Sequence, residues 1–131
     1  MKTNVPDSLR YTKDHEWVKL EGQNIRVGIT YFAVDQLGDI TLVELPKKGT
    51  VVEAGKAFGT VESVKTLSDL FAPLSGTIIE VNDELVNHPE WVNEATYEKG
   101  WMVIIAPSHL NTYESLLDAV AYKALLELSE H

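Results

Sequence analysis

Apolar and polar residues alternate from Glu16 to Leu20 and again from Ile25 to Ile29, with Gly22-Gln23-Asn24 between the two runs. Alternation sends successive side chains to opposite faces of a strand, and a glycine-bearing gap between two such runs predicts a β-hairpin. The pattern then changes. Thr30 offers a hydroxyl to the free amides of a first helical turn, so a short helix is expected from Tyr31 to Leu37, stopped by Gly38. Ile40 to Leu45 reads as a strand closed by Pro46. Val51-Val52, Phe58 to Val64, Leu70-Phe71 and Ile78 to Val81 continue as short strands, punctuated by Gly49, Gly55, Pro73 and Gly76. Met102 to Ile105 is the last strand, with Pro107 beyond it.

The ending has a different period. Asn111, with Glu114 three residues on, has the form of a capping box. Leu116, Leu117, Val120, Leu125 and Leu128 follow at helix-compatible spacings, and Asp118 offers a second helix start after a break. The expectation is a mainly β protein, a sandwich or small barrel, under a helical lid whose apolar stripe faces the core. Length favours a single domain over residues 1–131, with a β core at about 16–106 and a helical segment at about 111–129.

A short repeat lies inside the β region. Gly49-Thr50-Val51-Val52-Glu53-Ala54-Gly55 recurs as Gly76-Thr77-Ile78-Ile79-Glu80-Val81-Asn82. Two similar β units side by side are expected from such a repeat. The midpoint of their centres, Val52 and Ile79, falls at Lys65-Thr66. The connecting segment from Glu62 to Asp69 would therefore be a hairpin carrying one lysine at its tip. Exposed hairpin lysines are most often merely solvated, but a lysine held at a symmetric tip also has the form of an attachment site for a prosthetic group.

Composition narrows the chemistry. The net charge of −9 argues against nucleic acid, whose phosphates need clustered Lys and Arg, and against anionic membrane surfaces. The chain has no cysteine, so sulfur redox chemistry would need a borrowed cofactor. No apolar run approaches the ~20 residues of a membrane helix. The stretch Met1 to Asp7 has neither a signal core nor transit character, and a cytoplasmic setting is expected. No nucleophile–base set and no phosphate-binding fingerprint is visible. His15, His88, His109 and His131 have no metal-ligand spacing, so no metal site is expected and the chain reads as a non-enzyme.

At Lys65 the residues resemble a known family. Tyr11-Thr12-Lys13-Asp14-His15-Glu16-Trp17-Val18 and Val27-Gly28-Ile29-Thr30 are similar to its N-terminal signatures. Leu37-Gly38-Asp39-Ile40 and Val43-Glu44-Leu45-Pro46 are similar to its middle. Val61-Glu62-Ser63-Val64-Lys65, with Ser68-Asp69 and Ala72-Pro73, resembles its lipoylation hairpin. Val81-Asn82, Val92-Asn93-Glu94 and Gly100-Trp101-Met102 complete the likeness, which runs from about Val5 to about Leu126. The family is the H-protein of the glycine cleavage system. One departure is Thr66-Leu67, where small residues commonly follow the lysine.

The resemblance implies a barrel-sandwich hybrid, lipoyl-domain-like, with a short helix in the N-terminal half and helices at the C-terminus. It implies lipoate in amide linkage on Lys65, within a hairpin built of Glu62, Ser63, Val64 and Asp69. It also implies a carrier, expected to be monomeric, served by a lipoate-attaching enzyme. Glycine decarboxylase would load an aminomethyl group, aminomethyltransferase would pass its carbon to tetrahydrofolate, and dihydrolipoamide dehydrogenase would reoxidise the dithiol. A loaded arm ends in a cationic amine, for which Glu16, Asp69 and Asp14 are the docking candidates. Two other readings remain at this point: an H-like lipoyl donor or relay for other lipoate-dependent enzymes, and a biotinyl carrier, whose lysine usually lies between methionines rather than between Val64 and Thr66.

Overall fold

The computed structural model describes residues 5–129, with the side chain of Ser129 outside that description. Two antiparallel sheets form the body. The larger is built from β1 (Arg10–Tyr11), β2 (Glu16–Glu21), β3 (Asn24–Ile29), β5 (Val51–Val52), β8 (Gly76–Val81) and β9 (Val103–Pro107), in the order β1-β2-β3-β9-β8-β5. The smaller is built from β4 (Ile40–Glu44), β6 (Ala57–Ser63) and β7 (Leu67–Phe71), with β6 in the middle.

The hairpin expected near the N-terminus is β2–β3, with Glu21 paired to Asn24 across a two-residue turn in which Gly22 has φ +66°. The alternation of β2 breaks down at its start, where Glu16, Trp17 and Val18 are all buried because both faces are covered. Trp17 lies opposite Gly28, and a β carbon on Gly28 would sit 2.6 Å from the indole. Only glycine leaves room for that ring.

The expected helix is α1 (Tyr31–Leu37). The Thr30 hydroxyl accepts the Ala33 N–H, and the chain leaves through Gly38 at φ +80°, ψ −155°. That conformation is essentially confined to glycine. The two repeat segments do lie side by side: β5 pairs with β8, Val51 opposite Thr77. Nested within that pairing is the β6–β7 hairpin, Glu62 opposite Leu67.

Three apolar clusters form the interior. One joins α1 to the smaller sheet through Val34, Leu37, Val43, Val61 and Leu70. A second lies against the larger sheet, around Ile25, Val27, Ile78, Val103 and Ile105. The third sits under the C-terminal helix α3 (Ala119–Ser129), around Tyr11, Trp17, Phe32 and Tyr122.

The C-terminal segment corrects two expectations, the Asn111–Glu114 capping box and the apolar stripe, and meets a third, the helix start at Asp118. Asn111 makes no cap: residues Leu110–Ser115 form a 3-10 helix that begins after His109 without a side-chain cap, and Glu114 closes no capping box. The helix starts later, where Asp118 Oδ1 accepts the Ala121 N–H at 2.8 Å. The buried face of α3 is Ala119, Tyr122 and Leu126, whereas Val120 and Leu128 of the expected stripe are three-quarters exposed. A helix begun at Ala119 has its phase set by Asp118, and Tyr122 fixes the inward face by stacking on Tyr11 at 4.5 Å. The β region also begins earlier than Glu16, at β1, and a short helix α2 (Trp91–Glu94) stands where no element was expected. His131 and the outermost positions of the 1–131 span lie outside the described residues.

Candidate functional site at the β6–β7 hairpin

Lys65 sits at the tip of the β6–β7 hairpin and is exposed. Ser63 builds the turn. Its backbone N–H donates to the Thr66 carbonyl at 2.8 Å, while its buried hydroxyl oxygen accepts the N–H groups of Lys65 and Thr66 at 3.1 and 3.2 Å. Serine hydroxyls favour such local closures, and this one places Lys65 at the apex. The tip also rests on the body, because the Val64 N–H donates to the Asp39 carbonyl at 3.0 Å.

The lysine stem lies over Gly38. A β carbon there would be 3.4 Å from Lys65 Cε and 3.6 Å from Val64 Cγ2. Among the described residues no hydrogen bond or ion pair engages Lys65 Nζ. A rigid root, a packed stem and an unpaired amine fit covalent attachment of an acyl group. Val64 and Leu67 flank it, each more than half exposed, and Glu62 and Asp69 are exposed on the hairpin arms.

Residues 9–129 match the family described as "Glycine cleavage H-protein". The "Glycine cleavage system H protein" of Geobacillus kaustophilus is 54% identical over 123 residues, covering 94% of this chain and 97% of that one. The protein of the same name from Bacillus subtilis is 49% identical over 124 residues, covering 95% and 98%. A crystal structure of a glycine cleavage system H protein from Mycobacterium marinum superposes with a TM-score of 0.84 at 41% identity, covering 92% of this chain and 97% of that one. The chain belongs to the glycine cleavage H-protein family. The known role of this family is that of lipoyl carrier, and the two-sheet body is its barrel-sandwich fold.

Within this H-protein fold the three carboxylate candidates occupy different surroundings. Asp69 is exposed on β7, and Asp14 is exposed in the turn before β2. Glu16 is 2% exposed. Its Oε1 accepts the Thr12 hydroxyl at 2.5 Å, and its Oε2 lies 3.4 Å from the Phe71 N–H. That second contact sets Glu16 against β7 two residues beyond Asp69. Burial pushes the Glu16 carboxyl up to about 7, with Asp14 adding to the rise and the Thr12 and Phe71 donors opposing it. Of the three candidates only Glu16 is buried, because the strand it begins is covered on both sides.

His15 lies just before β2, with a positive φ of 69° and a hydrogen-bonded ring. Its Nδ1 lies 2.8 Å from the Tyr122 hydroxyl, which in turn lies 2.7 Å from the Thr30 hydroxyl at the cap of α1. Burial holds the His15 imidazole below its usual range. Among the described residues no group of three His, Cys, Asp or Glu converges as metal ligands would, and no helix is long and apolar enough to cross a membrane. Thr12, Tyr122 and Asn93 were not singled out as site residues from sequence. The contacts of Tyr122 and Asn93 join positions far apart in the chain, where no spacing rule reports them, whereas Thr12 bonds Glu16 only four residues on, a local turn contact that its spacing could have signalled.

Proposed function

We propose that Lys65 carries lipoate in amide linkage and that residues 1–131 act as one lipoyl-carrier domain without turnover of its own. The observation that supports this reading most is the unpaired Lys65 amine at the apex of a turn closed by Ser63 and seated on Gly38 and Asp39. Bound lipoate supplies the sulfur that takes up the aminomethyl group and the dithiol that carries the electrons. The chain's own residues present that group, keep its root fixed and shelter its far end. The partners of this reading are a lipoate-attaching enzyme, glycine decarboxylase, aminomethyltransferase and dihydrolipoamide dehydrogenase, each meeting a monomer.

Lys65→Arg keeps a cation but cannot form the amide, so it should abolish loading and leave the unfolding midpoint unchanged. Incubation with lipoate ligase followed by peptide mass spectrometry reads this out. Lipoate on another lysine, or on the variant, would sink the assignment.

Glu16, Asp69 and Asp14 are the proposed hold on the cationic end of the loaded arm. An arriving cation favours the ionised form of a buried carboxyl, so Glu16 would lose its proton as the amine docks. Contacts with exposed Asp69 and Asp14 contribute only roughly 0.2–1 kcal/mol each. A hold that light suits an arm that must leave again. Glu16→Gln with Asp69→Asn should speed ammonia release from the loaded protein, measured without aminomethyltransferase, while loading stays intact. Equal release rates would remove these two carboxylates from the docking role.

A further inference from the structure

The tip of the β6–β7 hairpin meets Gly38 and Asp39 of the body through Val64 and Lys65. The Gly38-Asp39 segment is itself irregular. It links α1 to β4, and Gly38 holds a backbone conformation open to glycine alone. Such a segment keeps its shape only when neighbours fix it. One side chain does so from both ends. Asn93 Oδ1 accepts the Ile40 N–H at 2.9 Å, and Asn93 Nδ2 donates to the Gly38 carbonyl at 3.0 Å. An amide side chain has one accepting and one donating end, and here each faces the backbone group it needs.

Between those two bonds lie the two contacts that matter to Lys65. The Asp39 carbonyl takes the Val64 N–H, and Gly38 underlies the lysine stem. Asn93 itself is firmly placed. It belongs to α2, whose Val92 is fully buried, and the Thr96 hydroxyl donates to the Val92 carbonyl at 2.8 Å.

We propose that Asn93 is a positioning residue for the Lys65 attachment site, acting through Gly38 and Asp39 to fix the direction in which the lysine leaves the hairpin. This inference rests on the reading of Lys65 as the lipoylated residue. A lysine whose root wanders spends less time in the geometry of attack, so the cost falls on the chemical step rather than on docking. The surface a ligase meets, Val64 and Leu67 included, is unchanged by an Asn93 substitution.

The test uses the full chain as wild type, Asn93→Ala, Asn93→Asp and, as a neighbouring exposed control, Glu94→Ala. Amide hydrogen exchange compares Val64 with Val27 and Ile105 in the larger sheet. Lipoate loading by a lipoate ligase is followed in parallel, with kcat and KM separated and the loaded residue located by mass spectrometry. Loss of these bonds should speed Val64 exchange about tenfold in both Asn93 variants, with Val27 and Ile105 unmoved. Loading should fall by a similar factor, in kcat. Asn93→Asp keeps the Ile40 acceptor but sets an oxygen against the Gly38 carbonyl. It should therefore load as poorly as Asn93→Ala even where its unfolding midpoint stays nearer wild type.

Unchanged Val64 exchange and loading in both variants would overturn the proposal. So would a loss confined to KM, or one that follows faster exchange throughout the larger sheet. Wild type loaded elsewhere than Lys65 would overturn the Lys65 reading instead, and the exchange comparison would still decide whether Asn93 holds the hairpin tip.

Discussion

A carboxyl group with both oxygens engaged and almost no exposed surface prefers to keep its proton, because the charged form has lost its water. Glu16 is such a group, raised from an ordinary 4.5 to about 7. A pKa raised on folding means stability that is present in full below about 4.5 and lost as pH rises through about 7. Each unit is worth about 1.4 kcal/mol, so the full loss is on the order of 3 kcal/mol. His15, lowered by burial, acts with the opposite sign and loses stability as pH falls. Urea unfolding of wild type and Glu16→Gln at a series of pH values separates the two. The difference between the proteins should shift in favour of the variant from pH 4.5 to pH 7.5, and a constant difference would show that folding does not raise the Glu16 pKa. Sequence pointed to Glu16 as a carboxylate of interest. Its burial was not legible there, because it depends on Thr12 and Phe71 arriving from a neighbouring turn and from β7.

Elements were legible wherever a local rule governs them. Thr30 and Gly38 bound α1 as expected, since a hydroxyl cap and a glycine stop each act within one turn. The end of the chain shows the limit of such rules. Asn111 and Asp118 both have cap chemistry, and only Asp118 makes the bond. The backbone after β9 runs through a 3-10 turn first, and the bridge between Tyr11 and Leu117 fixes where the helix can begin. Asp118→Ala should therefore cost about 1 kcal/mol. Asn111→Ala should stay within roughly 0.5 kcal/mol of wild type. Chemical denaturation of both variants checks the pair, and equal costs would contradict the assignment of the cap. The inward face of α3 follows from the same cause. Val120 and Leu128 are apolar but point outward, while Tyr122 turns inward because its ring stacks and its hydroxyl finds two partners.

At the scale of the molecule the clusters are not separate. Leu45 and Phe58 pack against both the cluster under α1 and the cluster of the larger sheet. Trp17 and Trp101 report on the cluster beneath α3, and Trp91 on the one under α1. If the chain is one domain, tryptophan fluorescence and far-ultraviolet circular dichroism should give coincident unfolding curves. Two resolved transitions would divide it.

The sequence by itself determined the succession of strands and turns along the chain from β2 to β9, the bounds of α1, the absence of any protein thiol and the one lysine at the midpoint of the repeat. All of these depend on residues close together in the chain or on composition, where hydrophobic period, capping and counting suffice. Tertiary structure alone decided which carboxylate is buried, which face of α3 turns inward and what holds Lys65 in place. Asn93 reaches Ile40 from 53 positions away, and Tyr122 reaches His15 from 107. Contacts of that separation exist only once the sheets and helices have packed. Local pattern places a lysine on a hairpin, and packing decides where it points.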